Sequence, residues 1–393
     1  MKPINKLLVA IIFSFILVFS ACKSKQSNST EIPNQETIVE SVNNEIPSVT
    51  KPTEQVGTNL KNGLEFVDAT GNLVSLVELP QRIIVAGRAT PYVLDTLYLF
   101  PEAAKKLVAL EVRGFDTQAF LELVDPDVQV KDMLDRDAGP EQIAPYNPDL
   151  VIVKNVSLGT LGSALDEISI PVMGLNLETP AFFYEDIRAL GKVLNNQERA
   201  EEIISYYQKI ETEISELLAD LPETQRPSVL VLQYSADGGE ISFKVPPTSY
   251  LQTTMVQNAG GNPVWLDADG GTNSWIQVGL EQIAVWNPEI IFVVNYAGDS
   301  IETVQELVVS PNWEGLKAVE NQKVFGFPSD YASWDLIDPR WILGQQWMAT
   351  IIQPDLTTGI NLETQVISFY QTLYGLSVDQ INEFIFPRLD EIK

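Results

Sequence analysis

The chain contains one nine-residue segment twice, and this repeat constrains the fold more than any other feature. Residues 141–149 read Glu-Gln-Ile-Ala-Pro-Tyr-Asn-Pro-Asp, and residues 281–289 read Glu-Gln-Ile-Ala-Val-Trp-Asn-Pro-Glu. Each copy runs directly into an apolar stretch, at 150–153 and at 290–294. Because the residue before a proline is disfavoured in the helical region, each Asn-Pro ends a short helix, and a buried strand follows. The repeat predicts two similar α/β lobes.

Apolar strand patterns alternate with helical patterns along most of the chain. Alternation of this kind predicts βαβ units and mainly parallel sheets. The predicted strands are residues 82–87, 107–110, 150–153, 171–174, 229–233, 290–294 and 323–325, after a hairpin at 64–77. The predicted helices are residues 92–100, 197–221, 251–258, 339–352 and 362–374, with two short ones starting at Pro140 and Leu280. The predicted fold is therefore α/β, with two Rossmann-like lobes of mainly parallel sheet connected by one long helix.

The N-terminal residues have the pattern of a secretory leader. Lys2 and Lys6 precede an apolar run from Leu7 to Phe19, which is too short to span a bilayer comfortably as a helix. The following Ser20-Ala21-Cys22 resembles the lipobox of bacterial lipoproteins, which predicts a signal peptide at 1–21 and lipidation of Cys22. Cys22 is the only cysteine, so it has no disulfide partner in the chain. The alternative is ordinary cleavage after Ala21 beside an incidental cysteine.

Composition divides the rest of the chain. Residues 22–59 are rich in polar residues and nearly free of aromatics, which predicts a lipid anchor followed by a disordered tether. The remaining length exceeds what one core usually supports. We therefore expect an N-terminal lobe at 60–182, a helical segment with the long linking helix at 183–226, and a C-terminal lobe at 227–393. The expected location is extracytoplasmic, with the lipid as the only attachment to the cell membrane.

Charge and composition exclude several classes of function. The formal net charge of −28 repels nucleic acid and anionic membrane surfaces. The chain has no histidine, which removes His general-base catalysis, Ser-His-Asp triads and imidazole metal sites. It also has no GxxxxGK[ST] motif, so it is not expected to hydrolyse nucleotides. We expect a protein that is not an enzyme and that has no cofactor or metal ion of its own.

Several short segments, taken in order, resemble a known family: the substrate-binding proteins of iron-siderophore, haem and cobalamin ABC importers. The resemblance covers nearly all of the mature domain and rests on the spacing of the segments as well as on their residues. The segments are Pro80-Gln81-Arg82-Ile83-Ile84-Val85, both copies of the repeat, the linking helix, Asn258-Ala259-Gly260-Gly261-Asn262, residues 313–319 and Pro339-Arg340-Trp341-Ile342-Leu343-Gly344.

The resemblance implies a monomeric binding protein that serves an ABC permease dimer with separate ATPase subunits. In such proteins one glutamate per lobe meets arginines on the permease, and the matching positions are Glu141 and Glu281. Both residues also lie in the first turn of a predicted helix, where a carboxylate complements the helix dipole, so the two roles overlap. The rigid helix between the lobes implies only small closure on ligand binding.

Ligand contacts are expected where strands end, because ligands of open α/β lobes bind at the carboxyl ends of the strands. Two loops are rich in aromatic residues. One contains Trp275, at a position where the family often has a tryptophan that contacts the ligand, and the other contains Tyr331 and Trp334. Tryptophans in the core are the alternative, and Arg82 and Arg340 are expected to be structural. Flat aromatics and arginines suit a large planar or catecholate-like chelate. The candidate ligand-binding residues are Arg88, Arg113, Asn155, Tyr234, Trp275, Tyr296, Tyr331 and Trp334.

The favoured function is capture of a metal chelate, such as a ferric siderophore, or of a corrinoid, and its delivery to the permease. One alternative is a surface lipoprotein hydrolase that uses Asp335 and Asp338 as a carboxylate pair. Another is a ligand sensor on the same fold that has no transport role, although Glu141 and Glu281 argue against it.

Overall fold

The computed structural model describes residues 63–237, 240–268 and 274–389. The predicted signal peptide, Cys22 and the tether lie outside the described residues. Within the described ranges, no helix combines the length and apolar character that crossing a membrane requires.

An antiparallel hairpin comes first, as the sequence predicts. It joins β1 (Leu64–Val67) to β2 (Leu73–Leu76), with Leu64 opposite Leu76. The carboxylate of Asp68 accepts the backbone N–H groups of Thr70 and Asn72, both at 3.0 Å, and this stabilises the turn.

The first lobe is built on a five-stranded, fully parallel sheet in the order β5-β4-β3-β6-β7. Its strands are β3 (Ile83–Val85), β4 (Leu107–Leu110), β5 (Asp132–Met133), β6 (Leu150–Lys154) and β7 (Val172–Leu175). Its helices are α1 (Thr90–Leu97), α2 (Ala103–Lys106), α3 (Phe115–Val124), α4 (Pro140–Ile143) and α5 (Ser163–Asp166). Neighbouring residues Ile83 and Ile84 are both fully buried in different core clusters, because helices cover both faces of the sheet.

Two helices connect the lobes. The long helix expected from the sequence is α7 (Gln197–Leu217), and α6 (Pro180–Leu194), which the sequence analysis did not separate, precedes it. The pair packs closely at Gly191, where a Cβ would lie 2.7 Å from the Cβ of Ala200. The hydroxyl of Tyr207 on α7 donates to the Pro339 carbonyl at 2.6 Å, which fixes α7 to the second lobe.

The second lobe has a mixed sheet in the order β11-β9-β8-β12-β13, with β10 also pairing with β8. Its strands are β8 (Ser228–Asp237), β9 (Glu240–Val245), β10 (Asn262–Pro263), β11 (Ile276–Val278), β12 (Ile290–Val294) and β13 (Val324–Gly326). Its helices are α8 (Leu251–Asn258), α9 (Leu280–Trp286), α10 (Ser300–Val308), α11 (Lys317–Glu320), α12 (Trp341–Ile352), α13 (Leu362–Tyr374) and α14 (Val378–Gln380). Strands β9 and β11 are antiparallel, whereas β10, β12 and β13 join through parallel pairings. The predicted α/β fold class is confirmed, with this antiparallel edge as an unpredicted addition.

The two copies of the repeat have the same local structure. In each copy the helix ends at an asparagine with a left-handed backbone, Asn147 with φ 46° and Asn287 with φ 41°. The residue after each Asn-Pro is acidic, and its carboxylate accepts a backbone N–H just before the neighbouring strand. Asp149 binds the N–H of Arg82 at 2.9 Å, and Glu289 binds the N–H of Ser228 at 2.8 Å. The repeat therefore sets both the helix end and the alignment of β3 with β6 and of β8 with β12.

Candidate functional site

The loop after β3 presents Arg88 from a tightly held backbone. The N–H of Gly87 donates to Glu111 Oε2 at 2.8 Å, and the N–H of Arg88 donates to Ser157 Oγ at 2.8 Å. Gly87 has φ +93°, and a Cβ there would lie 2.7 Å from Ser157 Oγ, so this position requires glycine. Ala89 follows with φ 58°. The loop is clamped at two points, while the Arg88 side chain is exposed.

At the same edge of the first sheet, one arginine contacts an exposed carboxylate, and two more arginines act on that carboxylate through their charge. Arg113 Nη2 lies 2.5 Å from Glu111 Oε1 and 2.8 Å from Asp137 Oδ1. The hydrogen bond from Arg113 and the charges of Arg113, Arg136 and Arg88 hold the pKa of Asp137 below its ordinary value, against a smaller opposing effect of burial. We call Arg88, Arg113 and Arg136 the arginine cluster. It lies beyond the carboxyl ends of β3, β4 and β5, where ligands of parallel sheets bind.

A polar cluster at the junction of the two lobes contains Tyr92, Tyr296 and Asp335. Asp335 is fully buried, and it accepts the hydroxyls of Tyr296 at 2.5 Å and Ser333 at 2.6 Å. Burial raises the pKa of Asp335, although these hydrogen bonds lower it in part. Tyr92 lies on α1, four residues after Arg88, and its pKa is raised first by burial and then by the Asp335 and Asp338 carboxylates. Tyr92 therefore lies close to the carboxylates of the second lobe, and the loop that carries Arg88 leads directly into its helix.

Trp275 and Tyr296 form the aromatic part of the site on the second lobe. Their ring centroids lie 6.2 Å apart at an interplanar angle of 79°, an edge-to-face contact. The Tyr296 residue is 42 % exposed although its hydroxyl reaches inward to Asp335, and Trp275 is half-buried. Both rings therefore keep accessible surface. Tyr234 lies within β8, paired with Phe243 of β9, rather than in a loop after the strand.

Asn155 is part of a hydrogen-bonded group around a buried lysine. Lys154 Nζ donates to Asn155 Oδ1 at 2.7 Å, to the Asn176 carbonyl at 2.5 Å and to Glu178 Oε1 at 2.6 Å. Burial lowers the pKa of Lys154, and Glu178 partly offsets this effect. The side-chain oxygen of Asn155, Oδ1, is thus already hydrogen-bonded to Lys154 within the first lobe.

The structure places Trp334 in the hydrophobic core, whereas its loop position predicted exposure. Its side chain is fully buried, and its indole N–H donates to Asp330 Oδ2 at 3.1 Å. Tyr331 also has a structural environment, since Arg388 stacks 4.1 Å from its ring centroid and Phe120 lies 5.4 Å away. Polar residues next to Trp334 in the sequence suggested an exposed loop. Asp330 and Asp335 are buried, however, and this explains why the predicted exposure is absent.

The carboxylate pair of the hydrolase alternative is not arranged as a catalytic pair. Asp338 is buried and lies 2.8 Å from Arg340 Nη1 in an ion pair, while Asp335 is enclosed by its three hydrogen-bond donors. Neither carboxylate faces an open cleft. Arg340, expected to be structural, is fully buried.

Glu141 and Glu281 occupy equivalent places in the two lobes. Each is exposed in the first turn of its helix, α4 or α9, directly after Gly139-Pro140 or Gly279-Leu280. A Cβ on Gly139 would lie 2.5 Å from Glu141 Oε2, and one on Gly279 would lie 3.1 Å from Glu281 Oε2, so both carboxylates fold back over a glycine. The position fits dipole complementation and leaves both carboxylates accessible.

Sequence reasoning missed Glu111, Arg136 and Tyr92. Arg136 follows β5, a strand of only two residues that has no recognisable hydrophobic pattern. Glu111 directly follows the apolar strand β4 and is fully buried, and a buried carboxylate needs a counter-ion. A glutamate at the end of an apolar run could therefore have indicated that Arg113, two residues later, pairs with it. In the described ranges, no group of three or more Cys, Asp or Glu residues is arranged to hold a metal ion.

The comparison with known families identifies the class of protein. The model of the periplasmic binding protein family matches residues 113–331, and the chain belongs to this family. The resemblance found in the sequence is thereby confirmed, and its solved relatives are solute-binding proteins of ABC-type transport rather than enzymes. Family membership implies an extracytoplasmic location.

Three relatives illustrate the range of the family. The molybdate-binding protein MolA of Haemophilus influenzae is 23 % identical over 258 residues, which is 60 % of this chain and 70 % of MolA. The Fe(3+)-citrate-binding protein YfmC of Bacillus subtilis is 25 % identical over 192 residues, 48 % of this chain and 56 % of YfmC. The crystal structure of a periplasmic solute-binding protein of Veillonella parvula superposes with a TM-score of 0.67 at 26 % identity, covering 84 % of this chain and 98 % of that one.

Proposed function

We propose that this protein captures an anionic metal chelate outside the cytoplasm and delivers it to an ABC permease. The observation that carries the proposal is the arginine cluster at the carboxyl edge of the first sheet, where Arg113 pairs with Glu111 and Asp137, together with the accessible aromatic pair Trp275 and Tyr296 on the second lobe. Guanidinium groups bind carboxylate or catecholate oxygens with charge-assisted hydrogen bonds, and aromatic rings stack on planar ligands. In a chain with a net charge of −28, three arginines in one place favour an anion.

The chelate is preferred over the other ligand classes on chemical grounds. A corrinoid offers one phosphate and a large neutral surface, which uses the arginine cluster poorly. Haem binding would lack a histidine ligand to the iron, since the chain has none. The relatives bind both a small oxyanion, in MolA, and ferric citrate, in YfmC. An accessible aromatic pair adds contact area that a tetrahedral oxyanion does not need.

The proposal also includes a surface that docks on the permease and a lipid anchor. We include Glu141 and Glu281 as the contacts to arginines of a permease dimer with separate ATPase subunits, and Cys22 as the lipid attachment of a monomer. Val285, one turn after Glu281, is 78 % exposed and adds an apolar contact beside that carboxylate. The division into lobes at 60–182 and 227–393, with the helical segment at 183–226 between them, belongs to the same proposal.

Titration of tryptophan fluorescence tests the ligand class. The protein used is the mature chain without its lipidated Cys22, beginning at Lys23. The probes are a ferric tricatecholate, ferric citrate, a neutral ferric trihydroxamate, cyanocobalamin, haemin and molybdate. We expect saturable quenching by an anionic ferric chelate at sub-micromolar concentration, and a smaller signal in Trp275→Phe. Quenching by molybdate or cobalamin alone would replace the chelate with that ligand, and no response to any probe would overturn the proposal.

A further inference from the structure

Asp137 lies at the centre of the arginine cluster. Its side chain is 66 % exposed, and its Oδ1 accepts a hydrogen bond from Arg113 Nη2 at 2.8 Å. Among the described residues, neither Arg88 nor Arg136 has an ion pair, yet both are close enough to act on Asp137. The carboxylate of Asp137 thus contacts one guanidinium group, that of Arg113, and the charges of Arg88 and Arg136 also act on it.

Arg113 does not need Asp137 to balance its charge. Glu111 is fully buried, lies 2.5 Å from the same Nη2 atom, and also accepts the N–H groups of Gly87 and Asp137 at 2.8 and 3.0 Å. A buried carboxylate requires a counter-ion, so the Arg113–Glu111 pair is the structural one. The Arg113–Asp137 pair is an exposed contact, and such pairs contribute little to stability.

The backbone of Asp137 is fixed independently of its side chain. Its φ is 60°, a left-handed conformation that asparagine and aspartate tolerate better than other residues with side chains. The hydrogen bond from its N–H to Glu111 holds this conformation whether or not the carboxylate contacts Arg113. The carboxylate is therefore able to rotate into solvent while the loop and the arginine cluster stay in place.

We propose that Asp137 is a displaceable internal carboxylate that competes with the ligand for the arginine cluster and so sets the selectivity for ligand charge. This inference rests on the proposed function and refines it. A bound anion replaces Asp137 as the partner of Arg113 and adds contacts with Arg88 and Arg136. The displaced carboxylate of Asp137 stays nearby and repels the anion. A ligand with several negative charges over a wide surface contacts all three guanidinium groups and overcomes this competition, whereas a small monoanion does not.

The test compares Asp137→Asn with the wild-type mature chain by isothermal titration calorimetry. Asparagine keeps the size of the side chain and tolerates φ near 60°, but it removes the competing charge. Glu201→Gln is the matched control, since Glu201 is 58 % exposed and pairs with Arg188 at 2.9 Å on the linking helices, away from the cluster. The ligands are a ferric tricatecholate, ferric citrate and a neutral ferric trihydroxamate, each at low and high salt.

We expect Asp137→Asn to bind the anionic chelates about fivefold to tenfold more tightly, the effect of losing one partly screened charge, and more so at low salt. Affinity for the neutral chelate is expected to stay unchanged, as is that of Glu201→Gln for all three ligands. Binding by the wild type with equal or weaker binding by Asp137→Asn would overturn the role of Asp137 and leave the proposed function standing. Absence of binding by both proteins to every anionic chelate would overturn the proposed function and this inference together.

Discussion

Arg340 Nη1 lies 2.6 Å from Asp95 Oδ2, and this buried ion pair joins the two lobes. Asp95 belongs to α1 of the first lobe, and Arg340 precedes α12 of the second. The same guanidinium group also contacts Asp330 at 2.7 Å and Asp338 at 2.8 Å, and it lies 4.2 Å from the ring centroid of Phe120. One cation thus serves three buried carboxylates. Burial raises the pKa of Asp95 well above its ordinary value, against the lowering effect of Arg340.

Replacement of this arginine should be strongly destabilising. Arg340→Met leaves three buried carboxylates without a counter-ion, and loss of one partner from a buried ionic group costs about 3–5 kcal/mol. Arg388→Met is the matched control, because Arg388 also joins the lobes, through Asp116, but is 37 % exposed. We expect a loss below about 1 kcal/mol there. Urea unfolding monitored by circular dichroism measures both, and equal losses would contradict the structural role given to Arg340.

Substitution of the two tryptophans that the sequence predicted to contact ligand should affect different properties, stability for Trp334 and binding for Trp275. Trp334→Ala removes a fully buried ring and should lower the free energy of unfolding by about 3–5 kcal/mol. Trp275→Ala removes a half-buried ring and should cost about 1 kcal/mol, while weakening chelate binding. Thermal denaturation and calorimetric titration of both variants test this division. Loss of binding in a folded Trp334 variant would return that residue to the ligand site.

The docking role of the repeated glutamates predicts a defect in transport alone. Replacement of both Glu141 and Glu281 with arginine should abolish chelate uptake by cells, because like charges would then face the permease arginines. Ligand affinity and thermal stability of the purified variant should stay within about twofold and about 1 kcal/mol of wild type, since both side chains are exposed. Replacement of Glu213 and Glu216 on α7 provides a control with the same change of charge. Wild-type uptake by the Glu141/Glu281 variant would contradict docking.

The raised pKa of Asp186 predicts that stability falls between about pH 4 and pH 8. Burial raises its pKa to about 8, although the N–H groups of Leu177 and Asn176, each at 2.8 Å, lower it in part. The folded state therefore holds a proton that the unfolded state loses near pH 4. Its stabilisation is complete below about pH 4 and falls as the pH rises toward 8, by up to about 1.4 kcal/mol per unit.

Asp186→Asn should remove this dependence. The measurement is the free energy of unfolding in urea at intervals from pH 4 to pH 9, with wild type and variant compared at each pH. Because the chain has no histidine, no imidazole titrates in this range and the difference curve is simple to interpret. Parallel curves for the two proteins would contradict the raised pKa of Asp186.

Much of the fold was predictable because its signals are local. Strands β4 and β12 and helices α8 and α13 have the predicted bounds, since continuous apolar runs and three- to four-residue periodicity mark them directly. Strand β8 extends to Asp237, well past the predicted end, and β9 was not predicted. Residues 234–236 of β8 and 240–242 of β9 are half-buried or exposed and lie on either side of a Gly-Gly pair in the sequence, a pattern that also fits a loop.

The site was predictable only in outline. The rule that ligands bind at carboxyl ends of strands led to Arg88 and Arg113. In the structure Arg113 contacts Asp137, and the charges of Arg88 and Arg136 also act on this carboxylate. It could not separate Trp275 from Trp334, because both occur among polar residues. The polar neighbour of Trp334 points into the core, where Asp330 accepts the hydrogen bond from the indole N–H. This contact depends on how distant segments of the chain pack, which the local sequence does not reveal.

The hydrophobic core has a further consequence for the molecule as a whole. Buried side chains of the first sheet, the linking helices and the second sheet form one continuous cluster. Neither half can therefore be separated from the other without exposing apolar surface that the chain buries when intact. The protein should unfold in a single cooperative calorimetric transition, and isolated halves should be insoluble or unfolded. Evolution can then vary the cleft residues freely, but it can exchange one half for that of a relative only if the shared core is exchanged with it.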